Sequence, residues 1–211
     1  MYRLYYSPAT ASLCVHWMLI ELGVPFELER IDFETEAQKA IDYLRLNPKG
    51  QVPTLIIDGK PITESAAILM LLAERHPSAG FAPSPGNAER ATYLELMIYL
   101  ANALLPAFRN WFYVSDYAGE AHEADVLDHA RVRIEAVWDQ LDERLSDGRE
   151  FLLGEELRAP DFLATMLGRW SRNMPKPATS WPNLGAYLDR MRARPGFIEV
   201  CAREELSEWV G

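Results

Sequence analysis

The sequence predicts an α/β domain followed by an all-α bundle, on three observations. Runs with strand character, Arg3 to Tyr6, Phe26 to Ile31 and Thr54 to Ile57, all fall in the first 76 residues and alternate with helical stretches. Pro77 to Gly86 contains Ser78-Ala79-Gly80 and Pro83-Ser84-Pro85-Gly86, a density of breakers that suits a linker. Beyond it the apolar spacing is helical throughout, and Val126, Ala130, Ile134, Val137, Leu141 and Leu145 recur by threes and fours. The expected division is therefore 1–76, a linker at 77–86, and a helical domain at 87–211.

In the first domain, Ser12 to Glu21 reads as a helix closed by Gly23, with Leu13, Trp17 and Ile20 on one face. The chain after the second strand is helix and loop, most helical at Glu36 to Leu44. Pro53 opens the third strand, because proline fixes φ and brings no ladder donor. Asp58-Gly59 turns it into a short fourth strand, and Thr63-Glu64-Ser65 opens a helix from Glu64 to His76. The order β-α-β-α-β-β-α is that of a thioredoxin-like domain. In the second part, helices are expected over Ala88 to Phe112, Glu123 to Leu145, Pro160 to Trp170, Leu184 to Arg192, and after Pro195. Pro106 should kink the first of these. Asp161, three residues after Arg158, is placed to bond back to a helix-cap amide and is read as structural.

Asn47 to Ser65 organises the first domain. Val52, before Pro53, keeps an N–H and a C=O without a strand partner, so it can pair with an extended peptide. Ser65 opens a helix, and its N–H, its hydroxyl and the helix dipole can hold an anion, while Glu64 beside it suits an ammonium. Taken separately, Val52-Pro53 is a strand boundary and Thr63-Glu64-Ser65 a cap. Together, about ten residues apart, they point to a small peptide ligand with an amino-acid head group. The Val52–Pro53 bond is also a place to look for a cis peptide.

At these residues the sequence resembles the cytosolic glutathione transferases, in particular the bacterial, beta-like members. The resemblance spans essentially the whole chain: Met1-Tyr2-Arg3-Leu4-Tyr5-Tyr6-Ser7-Pro8, the run from Asn47 to Leu55, Thr63-Glu64-Ser65-Ala66-Ala67-Ile68, the helical remainder and Arg194-Pro195-Gly196-Phe197. It implies a thioredoxin-like domain in which Val52 and Pro53 pair with the cysteinyl backbone of glutathione and Glu64 and Ser65 grip its γ-glutamyl end. Lys39 and Gln51 join the expected glutathione-binding set. The resemblance also implies conjugation of the glutathione thiolate to small apolar electrophiles, with glutathione as co-substrate, in a homodimer. The electrophile would meet Ala9 from the first loop and Asn102, Phe108, Arg109, Phe112 and Trp170 from the second domain. Two other readings stay open: a glutathione-dependent isomerase of the maleylacetoacetate type, and a glutathione-binding carrier without turnover.

The chemistry is expected at Ser7-Pro8-Ala9-Thr10-Ala11-Ser12-Leu13-Cys14. Lowering a thiol pKa by two units needs about 2.7 kcal/mol. One hydroxyl hydrogen bond to a charged acceptor gives roughly 1.5–3 kcal/mol and a helix N-terminus up to about 2, so one well-placed hydroxyl suffices. In the bacterial relatives the reactive cysteine falls on Ala11, which neither attacks nor donates. Ser12 is the first choice for the catalytic hydroxyl and Thr10 the second, although Ser12 also reads as a plain helix cap. Cys14 reads as a small buried thiol, and Tyr5 and Tyr6 as residues packing the sheet.

Composition narrows the partners. A net charge of −10 makes nucleic acid or anionic membrane a poor partner. An anionic ligand must then be met by helix N-termini and a few bases such as Lys39 or Lys49. Cys14 and Cys201 lie far apart, and His16, His76, His122 and His129 have no ligand spacing, so no metal is predicted. There is no basic leader with an apolar stretch, and no run approaches the roughly 18 apolar residues of a membrane helix, so a cytoplasmic location is expected.

Overall fold

The short apolar runs of the first third pair into a four-stranded sheet of order β2-β1-β3-β4, in a computed structural model that describes residues 1–209. Strand β1 (Tyr2–Tyr6) lies parallel to β2 (Phe26–Arg30) and antiparallel to β3 (Thr54–Ile57), which turns into antiparallel β4 (Lys60–Thr63). The β3–β4 turn has Asp58 and Gly59 both left-handed, at φ 51° and 77°, as a two-residue turn of this hand requires. Leu4 and Leu55 face each other across β1 and β3, and both are fully buried.

The parallel pair needs a crossover, which α1 (Leu13–Glu21) supplies. Leu13 through Leu19 are all buried, so α1 is covered all round rather than on one face. The expected helix at Glu36 to Leu44 is broken by extended Ala40 into a single 3-10 turn at Ala37–Lys39 and α2 (Ile41–Leu46). Helix α3 (Ser65–Arg75) buries Ile68, Leu69 and Leu72.

Pro83–Met191 forms a second unit, containing α4 (Arg90–Phe112), α5 (Glu123–Leu145), α6 (Ala159–Trp170) and most of α7 (Pro182–Arg192). Helix α4 runs through Pro106 as one element, and by length and composition it is apolar enough to cross a bilayer, contrary to the expectation that no run would be. Its apolar side is the core of the bundle: Leu96, Met97, Leu100, Leu104 and Phe108 are buried, and α4 packs on α5 and α6. Asp161 is fully buried at the start of α6. It accepts from the N–H of Arg158 at 2.8 Å, from the N–H of Leu152 at 2.9 Å and from the Tyr187 hydroxyl at 2.9 Å. The arginine has no acceptor atom, so only the aspartate half of a capping box operates here.

The division differs from the expected one at both ends. The first unit comprises Met1–Ala82 together with the described residues from Arg192 onward, so α8 (Pro195–Arg203) belongs to it and not to the bundle. Helix α8 packs on α1, with the Phe197 ring edge-on to Trp17 at 5.0 Å. Gly196 allows this approach: a Cβ there would lie 2.5 Å from Glu21 Oε1, the oxygen that accepts from Trp17 Nε1 at 3.0 Å. That contact explains why α1 has no exposed face.

Candidate functional site

Strand register decides which residues share one end of the sheet. Thr54 pairs with Tyr5 on one side and with Thr63 on the other. Two residues further on, Ser7, Val52 and Ser65 therefore leave the sheet at the same end.

The Val52–Pro53 peptide is cis. The segment before it is held from behind by α2: Tyr43 Oη and Asn47 Nδ2 both donate to the carbonyl of Gln51, at 2.5 and 2.6 Å. Asn47 is buried, and its Oδ1 accepts from Lys49 N at 3.2 Å, which closes the turn ahead of Gly50. Gly50 is left-handed at φ 61°, and a Cβ would sit 3.0 Å from the Gln38 carbonyl, so glycine suits the place. Among the described residues, neither the N–H nor the C=O of Val52 has a partner. The side chain of Gln51 is exposed, while its carbonyl is already taken.

Ser65 is the first residue of α3, and its hydroxyl donates to the Ala11 carbonyl at 2.8 Å. The expected anion holder thus uses its proton to tie α3 to the first loop. What it still offers a ligand is its N–H and the positive end of the helix. Glu64 is left-handed at φ 71°, and its carboxylate pairs with Lys49 Nζ at 2.5 Å, both exposed. An exposed pair of this kind contributes well under about 1 kcal/mol, so a ligand ammonium can exchange for the lysine. Lys39 instead pairs with Glu36 inside its own 3-10 turn.

The first loop carries a closed set of hydroxyls. Thr10 Oγ1 donates to the Ser7 carbonyl at 2.7 Å and lies 2.9 Å from Ser12 Oγ. Ser12 Oγ accepts from Ser7 N at 3.3 Å and is 3.1 Å from the same carbonyl. The Ser12 side chain makes no bond to its own helix, so the expected side-chain cap is not formed. Its side chain is fully buried, and burial withdraws the first-choice hydroxyl while Thr10 keeps partial exposure. Cys14 lies beneath, fully buried, and burial pushes its thiol up to about 12. At neutral pH such a group is a core residue and not a nucleophile.

The second unit holds an aromatic group of its own. Phe108 stacks on Phe112 at 5.8 Å and meets Trp170 edge-on at 5.7 Å and Trp138 at 6.3 Å. Phe108 is fully buried, so it backs this surface and does not line it, whereas Phe112 is half exposed. Arg109 pairs with Asp116 at 2.8 Å and lies 3.8 Å over the Tyr113 ring; Asn102 is exposed. Ala9, the remaining electrophile candidate, is left-handed in the first unit at φ 61°.

Comparison with known proteins bears on all of this. Residues 2–74 match the family model for the glutathione S-transferase N-terminal domain, and residues 124–190 that for the C-terminal domain. A glutathione S-transferase of Xanthomonas campestris is 32% identical over 198 residues, covering 90% of this chain and 93% of that protein. The chain belongs to the glutathione S-transferase family. A solved glutathione transferase homologue from Sulfitobacter, with bound glutathione, superposes with a TM-score of 0.87 at 27% identity, covering 96% of this chain and 98% of that one. A beta-class glutathione S-transferase from Sphingomonas chungbukensis gives 0.84 at 29% identity, covering 97% and 100%.

Within this member of the family, some supporting residues show in the sequence and some do not. Asn47 opens the organising stretch and Tyr43 lies just before it, so both are near Gln51 in sequence. Glu204 does not show: in Arg203-Glu204-Glu205 it looks like one solvated charge among others, yet it is buried. Both its oxygens are engaged in the first unit, with Ala9 N and with His16.

Proposed function

We propose that this chain is a glutathione transferase that binds glutathione along Val52 and the start of α3 and conjugates its thiolate to small apolar electrophiles. The observation that carries the reading is the unpartnered main chain of Val52 beside the helix N-terminus at Ser65, brought to one end of the sheet by strand register. An extended cysteinyl backbone pairs with Val52 as an added strand, and the γ-glutamyl carboxylate takes the N–H of Ser65 and the dipole of α3. Its ammonium goes to Glu64, which releases Lys49 for a second carboxylate of the ligand.

The sulfur is activated by a hydroxyl of the first loop. Thr10 is the better placed donor, because Ser12 is enclosed: on binding, the Thr10 proton turns from the Ser7 carbonyl to the sulfur, and Ser12 keeps that carbonyl satisfied. Phe112 and Trp170, with Arg109, offer an aromatic surface suited to a planar apolar electrophile. The protein works as a cytoplasmic homodimer.

Calorimetry with millimolar glutathione, and a crystal soaked in it, test the binding half: heat of binding and density along Val52 are expected, and their absence overturns the reading. Turnover of a chlorinated dinitrobenzene tests the other half. A second reading, a carrier without turnover, draws on Ala11 standing at the reactive position; binding without any conjugation would favour it.

A further inference from the structure

Ala9 occupies the left-handed backbone region, at φ 61°, which disfavours a residue with a Cβ, and it does so immediately before Thr10. A conformation of this kind persists only where the surroundings hold it. Here its N–H donates to Glu204 Oε2 at 2.9 Å, from a residue 195 positions away in sequence. The other oxygen, Glu204 Oε1, lies 2.8 Å from His16 Nδ1. A carboxylate only accepts, so Nδ1 carries the hydrogen of that bond.

His16 and Glu204 have no exposed side-chain surface. The imidazole is set edge-on against Tyr6 at 5.7 Å and Phe26 at 5.6 Å, and its Nε2 has no partner among the described residues. The histidine therefore has one polar task, which is to fix the carboxylate. Burying a carboxylate costs more than packing an apolar side chain in the same space, unless its hydrogen bonds accomplish something packing cannot. What these bonds accomplish is to place one oxygen under the Ala9 amide.

We propose that Glu204 is a positioning residue for the transfer reaction: braced by His16, it keeps Ala9 left-handed and so aims the Thr10 hydroxyl. The catalytic half of this rests on the transferase reading above; the conformational half does not. Thr10 and Ser12 share the Ser7 carbonyl, so a loop that let Ala9 relax would redirect both hydroxyls at once.

Two measurements on the full chain test it. In Glu204→Ala, the amides of Ala9 and Thr10 are expected to exchange hydrogen about tenfold faster, with Leu4 and Leu55 in the sheet unchanged. The kcat for glutathione conjugation should fall about tenfold, with KM for glutathione within about twofold. Glu204→Gln, which retains an oxygen for the Ala9 amide, should restore most of both. The loss caused by Glu204→Ala should be at least about threefold smaller in an Ala9→Gly background than in the parent, because glycine stands left-handed without penalty.

Unchanged exchange at Ala9, or an equal loss in both backgrounds, overturns the proposal. So does a uniform rise in exchange across the sheet, which would make Glu204 a general support. Should the parent protein bind glutathione but conjugate nothing, the transferase reading falls, and the exchange data alone still decide whether the clamp exists.

Discussion

At the scale of single residues, the first loop shows how burial sorts groups of like chemistry. Thr10 and Ser12 carry the same hydroxyl two positions apart, but only Thr10 has an outward side. Thr10→Val should therefore lower kcat by about ten- to a hundredfold, the loss of one charge-assisted hydrogen bond, and raise the thiol pKa of bound glutathione. Ser12→Ala should act mainly on stability, and an unaltered thiol pKa in Thr10→Val would remove that residue from the mechanism. Cys14 gives a prediction with pH. Its thiol titrates near 9 when unfolded and is pushed up to about 12 in the native core by burial. Below pH 9 both states hold the proton and the contribution is complete. Above it the unfolded chain ionises and the native one does not, so stability falls, by about 2 kcal/mol at pH 10.5. Urea titrations at pH 8 and 10.5 should show a smaller drop between them for Cys14→Ala than for the parent.

At the scale of elements, much was legible where one residue constrains the backbone. Pro53 and Asp58-Gly59 fixed the β3–β4 hairpin, and the open end of that hairpin is the candidate site. Legibility failed where the answer lay in distant packing. Ser12 at a helix start has the look of a cap, but its hydroxyl oxygen accepts from the Ser7 N–H and not from its own helix. Phe197, Val200 and Cys201 have the spacing of any bundle helix, and nothing in that spacing says that α8 covers α1. Asp161 was readable as a structural residue, though not the number of its partners. Asp161→Ala leaves the amides of Arg158 and Leu152 and the Tyr187 hydroxyl without their acceptor, and should cost about 3–5 kcal/mol in denaturant unfolding. Activity per folded molecule at low temperature should be retained; a large loss of kcat with unchanged stability would contradict this assignment.

At the scale of the whole molecule, the first unit is discontinuous in sequence while the second is one uninterrupted stretch. A truncation after Met191 removes α8 and bares Trp17 and the part of α1 that it covers. Burial of a large aromatic contributes several kcal/mol, so such a chain is expected to lose its sheet signal and expose apolar surface to dye binding, while the bundle keeps its helicity. A truncated chain that bound glutathione normally would show that α8 is dispensable. The arrangement also sets an order of events during synthesis. The bundle can close as soon as residue 191 has left the ribosome, but the half that carries the candidate site stays unfinished until α8 emerges. A nonsense mutation between Met191 and α8 should therefore yield no partly working enzyme, only a folded helical remnant joined to an unfinished sheet.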